Sequence, residues 1–238
     1  MSEMISFGGG VNSVAMTIML VNDGWRGPIV FADTGGEHPE TYCYLTYFGK
    51  WLAERGMEIT RLEPGSKWHR GPASMPLEDY CLEAGLVPFM AARWCSREWK
   101  REPLERWRTE HGIDTTLIGF CADETRRMRV DSTVRYPLEY TTRGECGRII
   151  QAEGLAVPPK SSCFFCPMQT NDEWKRLWFD HPALYKRAEL MEFVASQKRG
   201  RQVTLDSSSM SLEQFRKSRF EGWREMDLSD WLPCVCTL

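Results

Sequence analysis

The sequence predicts an α/β fold: a doubly wound, mostly parallel sheet with a C-terminal helical, cysteine-bearing extension. Three observations predict it. The chain opens with a short apolar run, three glycines and an apolar helix pattern, Met4 to Met19. Strand-like runs then alternate with helix-period segments through the first half, the signature of βαβ units and a parallel sheet. From about Tyr136 the alternation gives way to loops marked by Gly144, Gly147, Gly154 and Pro158-Pro159, and then to helical segments alone. The 238 residues therefore divide into an α/β unit over 1–135 and an extension over 136–238, expected to pack on the same core.

In chain order, strands are expected at 3–7, 28–33, 57–62 and 115–120, and helices at 13–23, 39–55 and 97–111. Residues 63–93, with Pro64, Gly65, Gly71, Pro72, Pro76, Gly85 and Pro88, read as an irregular insertion holding one short helix near Leu77 to Ala84. Thr170-Asn-Asp-Glu173 is a capping box that starts a helix near 171–179. His181-Pro182 interrupts it, and a further helix is expected from Ala183 to Lys198. Ser211-Leu-Glu-Gln214 is a second capping box, and Trp231 to Cys236 reads as a tail.

Hydrophobic residues make up 42 % of the chain and aromatics 12 %, including ten tryptophans, which supports a sizeable core and excludes a disordered chain. A net charge of −3 supplies no basic field, so nucleic-acid binding would need a local patch. No apolar run approaches the ~20 residues of a membrane span, and no signal-peptide pattern opens the chain, so a cytoplasmic protein without a membrane partner is expected. Nine cysteines are many for such a chain and point to metal, cluster or redox chemistry. Cys43, Cys81 and Cys121 lie in apolar or helical patterns and read as core; Cys95, Cys163, Cys166, Cys234 and Cys236 are placed differently.

Gly8, Gly9 and Gly10 allow the sharp turn that brings main-chain amides close to an anion, and Asn12 and Ser13 fall where a helix begins. The loop lacks the Gly-Lys-Ser/Thr of a Walker loop and the third glycine of a dinucleotide loop. An ordinary glycine-rich turn is the plain alternative. The second strand favours the anion cradle, because it runs straight into Asp33-Thr34-Gly35-Gly36-Glu37, at the strand end where open α/β sheets bind ligands. Asp33, Glu37 and Glu40 could serve as acid/base or magnesium groups, or Glu40 could simply start the next helix. Arg126, Arg127 and Arg129 follow the strand ending at Gly119, where guanidinium forks would suit phosphate or sulfate oxygens.

Ser6-Phe7-Gly8-Gly9-Gly10-Val11-Asn12-Ser13 resembles the PP-loop of the adenine-nucleotide α-hydrolase superfamily, whose fold is Rossmann-like, and Phe31 to Gly35 through Glu40-Thr41 resembles its second motif. The phosphoadenosine phosphosulfate reductase branch is the most similar. Its pattern continues through Cys95-Ser96-Arg97 to Lys100 and Pro103, Gly119 to Arg127, and Cys163-Phe-Phe-Cys166-Pro167, over roughly the first two-thirds of the chain. The resemblance implies an adenine nucleotide, ATP or an adenylyl sulfate, held by Ser6, Phe7, Gly8, Gly9, Gly10, Asn12, Ser13, Asp33, Thr34 and Gly35. It also implies substrate phosphate or sulfate contacts from Arg97, Lys100, Arg126 and Arg127. Two departures stand out: Ser96 replaces the second cysteine of the family's pair, and Asn12 replaces the usual aspartate, with no lysine in the loop. Losing that carboxylate is expected to weaken recruitment of magnesium, the candidate divalent ion.

Cys95, Cys163 and Cys166 supply three thiolates, and Cys234 or Cys236 could complete a site for a 4Fe–4S cluster; zinc is the alternative. Cys234 or Cys236 could also be the attacking thiolate. Glu145-Cys146-Gly147 matches part of the family's catalytic motif but lies mid-chain before Arg148, and reads as coincidence. The implied function is sulfur reduction or transfer with a thiol or other sulfur or electron donor. The alternatives are an ATP-dependent sulfurtransferase, with a nucleic acid as candidate acceptor, and a nucleotide-binding protein without turnover; an oligomer is compatible with any of them. His38, His69, His111 and His181 read as surface or capping residues, and Trp174, Leu177 and Trp178 as a helix's core face.

Overall fold

The computed structural model describes residues 2–205 and 210–219. Five strands form one parallel sheet in the order β3-β2-β1-β4-β5: β1 Glu3–Ser6, β2 Ile29–Ala32, β3 Ile59–Leu62, β4 Thr115–Ile118 and β5 Val134–Arg135. Ile5 pairs with Ile29 on one side and with Leu117 on the other. The chain winds outward from β1 to β3 and then crosses back to β4, so the switch point lies between β1 and β4. That is where an open α/β sheet has its ligand crevice.

Alternation along the strands gives the sheet two buried faces. Ile5, Ile29, Phe31 and Leu117 pack with helices α1 (Val11–Asn22) and α2 (Pro39–Ala53). Met4, Val30 and Leu62 face the other way and pack with Trp107. Phe48 of α2 stacks between Phe7 and Trp51, with ring centroids 5.6 and 5.3 Å away. A second core joins helix α3 (Leu77–Ala84), Trp99, Phe164 and Phe165 to the C-terminal helices.

The segment expected as one helix over 97–111 begins earlier and is not uniform. A short helix α4 (Trp94–Ser96) runs into a π-helical turn over Arg97–Arg101 and then α5 (Glu102–Glu110). Pro103 has no N–H to give the Trp99 carbonyl. That carbonyl instead accepts from His69 Nε2 at 3.2 Å, while Ser66 Oγ faces His69 Nδ1 at 3.2 Å. His69 is thus a buried residue rather than the surface group expected; burial lowers its pKa, in keeping with a neutral ring.

Strand β5, helix α6 (Arg143–Ala152) and the 3₁₀ turns Gly71–Ser74 and Ala122–Arg127 were not foreseen. Thr142 and Glu145 form a full capping box for α6, and Cys146 and Ile150 bury themselves in the core beside α1. Glu145-Cys146-Gly147 is therefore a first helical turn, with its thiol inside the protein and pushed up to about 11 by burial. The extension goes on as α7 (Asn171–Asp180), α8 (Pro182–Arg199) and α9 (Leu212–Arg219) in the second core. It thus contributes to both cores. Among the described residues no helix is long and apolar enough to cross a membrane.

Candidate functional site

The glycine loop turns at Gly9, whose φ of +72° lies in the left-handed region that a side chain disfavours. Gly10 is the extended N-cap of α1 and offers no side chain to cap it. The Ser13 hydroxyl is turned back to the Gly10 carbonyl at 2.9 Å, which also accepts from Val14 N at 3.0 Å. The first amides of α1 are thus left without a side-chain acceptor, the arrangement that favours an anion. Gly119, just past β4, lies against this helix start; a Cβ there would stand 3.1 Å from Ser13 N and 3.2 Å from the Asn12 carbonyl carbon. Phe7 is a core residue stacked on Phe48, so only its backbone is open to a ligand. Ser6 is half-buried at the end of β1.

Asp33 is 1 % exposed, and its carboxylate is held from several sides. Oδ1 accepts from Gly35 N and from the Tyr42 hydroxyl, each at 2.9 Å; Oδ2 accepts from Arg61 Nε at 2.9 Å and from Arg61 Nη2. These bonds engage both oxygens in shaping the loop after β2. Gly35 is exposed on that loop, and the Thr34 hydroxyl donates toward Glu37 Oε1 at 3.2 Å while accepting from Gly36 N at 3.2 Å. Glu40 lies in the first turn of α2, where His181 Nε2 donates to it at 2.5 Å.

The cysteine segment is stitched to this same loop. Cys163 bridges Glu37 in antiparallel fashion, with His38 N donating to Ser162 O at 3.0 Å and Phe164 N to Gly36 O at 2.9 Å. Ser161 lies against Gly10. The Cys163 sulfur stands 3.1 Å from the Thr34 hydroxyl and 3.9 Å from Glu37 Oε1. Cys166 closes a turn on Cys163, its amide donating at 3.0 Å. From the π-helical turn, Lys100 Nζ donates to Glu37 Oε1 at 2.7 Å, leaving Glu37 Oε2 buried and without a partner.

Electrostatics joins the three thiols. Burial raises the Cys95 thiol, and the Cys166 thiol adds to that; burial raises Cys166 as well. The Cys163 thiol is pushed well above its ordinary value by burial first and the Glu37 carboxylate second, against the pull of Lys100. Burial opposes the charge on Lys100, yet Glu37 and the thiols Cys163 and Cys166 hold the ammonium above the usual lysine value. The donor chemistry, three soft thiols with a cation beside them, suits a thiolate-held metal group. Among the described residues, however, no group of three His, Cys, Asp or Glu is arranged to hold a metal ion. Cys234 and Cys236, expected as a fourth ligand or as an attacking thiolate, lie outside the described residues.

The expected phosphate-contacting residues are less uniform. Arg127 pairs with Glu124 and lies 4.2 Å over the Phe120 ring, and both it and Arg126 are exposed on the 3₁₀ turn Ala122–Arg127. Arg97 is exposed and pairs with Glu98 at 2.9 Å and Glu102 at 3.6 Å, on its own helical stretch. Lys100 alone of the four reaches into the thiol group. Sequence reasoning passed over Glu124, Arg61, Tyr42 and Ser161. Glu124 carried a signal: an acidic residue after β4, in a chain whose loop has an amide where an aspartate is usual.

Comparison with known proteins agrees with this architecture. The nin region protein ORF290 of Escherichia phage lambda is 28 % identical over 159 residues, covering 58 % of this chain and 54 % of that protein. A 37.8 kDa protein in the gpa 5′ region of Escherichia phage 186 is 29 % identical over 133 residues, covering 42 % of this chain and 40 % of that protein. The chain thus spans about half the length, or less, of the phage relatives it matches. Among solved structures, the U34-tRNA thiolase NcsA from Methanococcus maripaludis with its 4Fe–4S cluster is 16 % identical. Its TM-score is 0.51, and the match covers all of this chain and 80 % of that one, a likeness of fold. A phosphoadenylyl-sulfate reductase from Candida auris, in a phosphate complex, gives a TM-score of 0.44 at 16 % identity over 66 % of this chain and 74 % of that one. The family model of the phosphoadenosine phosphosulfate reductase domain matches residues 2–136, more than half of the sequence. With a glycine loop at the β1/β4 switch point and a parallel sheet wound on both faces, the chain belongs to the phosphoadenosine phosphosulfate reductase domain family.

Proposed function

We propose that the protein is an adenine-nucleotide-dependent enzyme of sulfur reduction or transfer, with the nucleotide's charged end at the glycine loop and its sulfur chemistry at Cys95, Cys163 and Cys166. One observation carries this reading. The Cys163 segment packs on the glycine loop through Ser161 and on the β2 loop through Glu37 and Thr34, so it touches both loops at the strand ends. The whole protein's reaction, donor and acceptor belong to the proposal, as does the cytoplasmic setting.

Cys95, Cys163 and Cys166 would hold a 4Fe–4S cluster, or zinc in its place, with Lys100 offsetting the negative charge of the thiolates. A cluster would supply soft iron able to bind sulfur or pass electrons. The chain's own contribution is positional: Glu37 orients Lys100, the Thr34 hydroxyl fixes the Cys163 sulfur, and the start of α1 receives the anion.

The test is iron, acid-labile sulfide and zinc analysis of anaerobically purified protein, followed by product analysis. Sulfite released from an adenylyl sulfate with a thiol reductant identifies the reductase; pyrophosphate released from ATP identifies the sulfurtransferase. One observation favours the ATP reading: a carboxylate, Glu124, stands at Asn12. Tight nucleotide binding with neither product would leave a binding protein and overturn the enzymatic reading.

A further inference from the structure

We propose that Ser161, supplied by the C-terminal extension, gives its hydroxyl to the charged end of the nucleotide, and that a nucleotide so bound fixes the strap carrying Cys163. The proposal rests on the adenine-nucleotide reading and adds to it a binding residue and a link from nucleotide to thiol.

Residues 156–164 form a strap tied at both ends. Upstream, Ala156 O accepts from the Tyr44 hydroxyl at 2.7 Å, and Ala156 N donates to the Tyr47 hydroxyl at 3.3 Å, both on α2. Downstream, Ser162 O accepts from His38 N at 3.0 Å and Phe164 N donates to Gly36 O at 2.9 Å, on either side of the Cys163–Glu37 bridge. Between these ties the strap reaches the glycine loop. Ser161 Oγ stands 2.9 Å from the point a Cβ on Gly10 would occupy, and Ser161 Cβ stands 3.8 Å from the same point on Gly9. Only a glycine at position 10 admits an oxygen so close. Ser161 lies beyond residues 2–136, which the family model matches, so the contact is made by this chain's extension.

The loop's own side chains have spent their donors inside the protein. Ser13 Oγ donates to Gly10 O at 2.9 Å, and Asn12 turns its Nδ2 to Glu124 at 2.8 Å. Among the described residues, the Ser161 hydroxyl has no hydrogen-bond partner. It stands over Gly10, the N-cap of α1, which offers no side chain to the amides behind it. Phosphoryl or sulfuryl oxygens arriving at those amides would find in Ser161 a hydroxyl free to donate. Two side chains at the same turn carry unpartnered polar atoms. Asn12 Oδ1 belongs to a residue 8 % exposed, and the Thr41 hydroxyl to one 2 % exposed, whose methyl stands 3.4 Å from the Gly9 Cβ position. Buried polar atoms are rarely left without partners, and their gathering at one turn marks a place built to be occupied.

The bond would give the strap a third anchor, two residues from Cys163. A segment opens locally with a free energy set by its own contacts, so one more hydrogen bond lowers the frequency with which Cys163 leaves its place. Ser161 is thus a binding residue for the nucleotide and a positioning residue for the thiol.

The experiment is calorimetric titration of the full chain with ATP and with adenylyl sulfate. The nucleotide that wild type binds more tightly is carried through Ser161→Ala, Gly10→Ala, the double variant and Ser162→Ala. Loss of a hydrogen bond to a charged group should weaken binding about tenfold in Ser161→Ala, with Ser162→Ala unchanged. Gly10→Ala puts a methyl against the Ser161 oxygen and should weaken binding to a similar extent. In the Ser161→Ala background the two Cβ atoms would stand 3.9 Å apart, and Gly10→Ala should then weaken binding less than about twofold further. In metal-free protein, saturating nucleotide should slow iodoacetamide modification of Cys163 about threefold in wild type and leave it unchanged in Ser161→Ala, as read by peptide mass spectrometry. Equal affinity in wild type and Ser161→Ala overturns the proposal, as does equal protection of Cys163 in the two proteins or an equal effect of Gly10→Ala in both backgrounds. Wild type that binds neither nucleotide overturns the nucleotide reading itself, and the Ser161 contact with it.

Discussion

The Thr34 hydroxyl and the Cys163 sulfur stand 3.1 Å apart, joining the loop after β2 to a segment 129 residues further along the chain. The contact lies in a chain of groups: Thr34 Oγ1 is 3.2 Å from Glu37 Oε1, which accepts from Lys100 at 2.7 Å. The loop after β2 and the thiol group therefore respond to the same charges.

The first prediction concerns those charges. Burial, then Glu37, raises the Cys163 pKa, while Lys100 opposes. A raised thiol pKa means less thiolate at neutral pH, with reactivity appearing as pH climbs toward the raised value. In metal-free protein, iodoacetamide should modify Cys163 more slowly than a free cysteine at about pH 8, and its rate should go on rising with pH after that of a free cysteine has levelled off. Glu37→Gln should speed the reaction at fixed pH and Lys100→Met should slow it, each by about three- to tenfold. Peptide mass spectrometry reads the site. A shift of both variants in the same direction would contradict the charge arrangement.

The glycine loop gives a second prediction. Gly9→Val forces a β-branched residue into φ +72°, and should destabilise the fold by about 1–3 kcal/mol and abolish tight nucleotide binding. Gly119→Ala pushes a methyl against the backbone of Asn12 and Ser13, and should cost about 1–3 kcal/mol while shifting the helix start. Ser13→Ala loses the bond to the Gly10 carbonyl, about 1 kcal/mol, and should weaken binding less than either glycine change. Thermal melts and nucleotide titration measure both effects; wild-type affinity in Gly9→Val would refute the cradle.

Glu192 supplies a third. This buried carboxylate on α8 accepts from the amides of Leu205 and Leu212, each at 2.7 Å, and so ties α9 to the second core. Glu192→Ala strands both amides and should cost about 3 kcal/mol or more. Limited proteolysis should then cut between α8 and α9 well before the sheet is attacked. Unchanged protection would mean that the packing of Leu212 and Phe215, with the Tyr185 hydroxyl on the Leu212 carbonyl and the Arg216–Glu189 pair, holds α9 without Glu192.

Much of this molecule is legible locally. Thr170 with Glu173, and Ser211 with Gln214, read as helix starts and act as such, each hydroxyl accepting from the amide three residues on. The same logic applied to Thr142 and Glu145 would have found α6, but Gly144 and Gly147 read as loop punctuation. A glycine inside a helix costs only about 1 kcal/mol. Burial of Cys146 and Ile150 beside α1 outweighs that, and no propensity scale contains that contact.

The first four strands, the glycine loop, the acidic second strand end and the thiol spacing were determined by the sequence alone, because each depends on neighbours a few residues apart. Only the tertiary structure decided what those groups touch. It turned Asp33 toward Arg61, 28 residues away, set Lys100 on Glu37, 63 residues away, and placed Glu124 on Asn12 across 112 residues. Such pairs are chosen by the winding of the sheet, which brings strand ends together whatever their separation in sequence, and by the need of each buried charge for a partner.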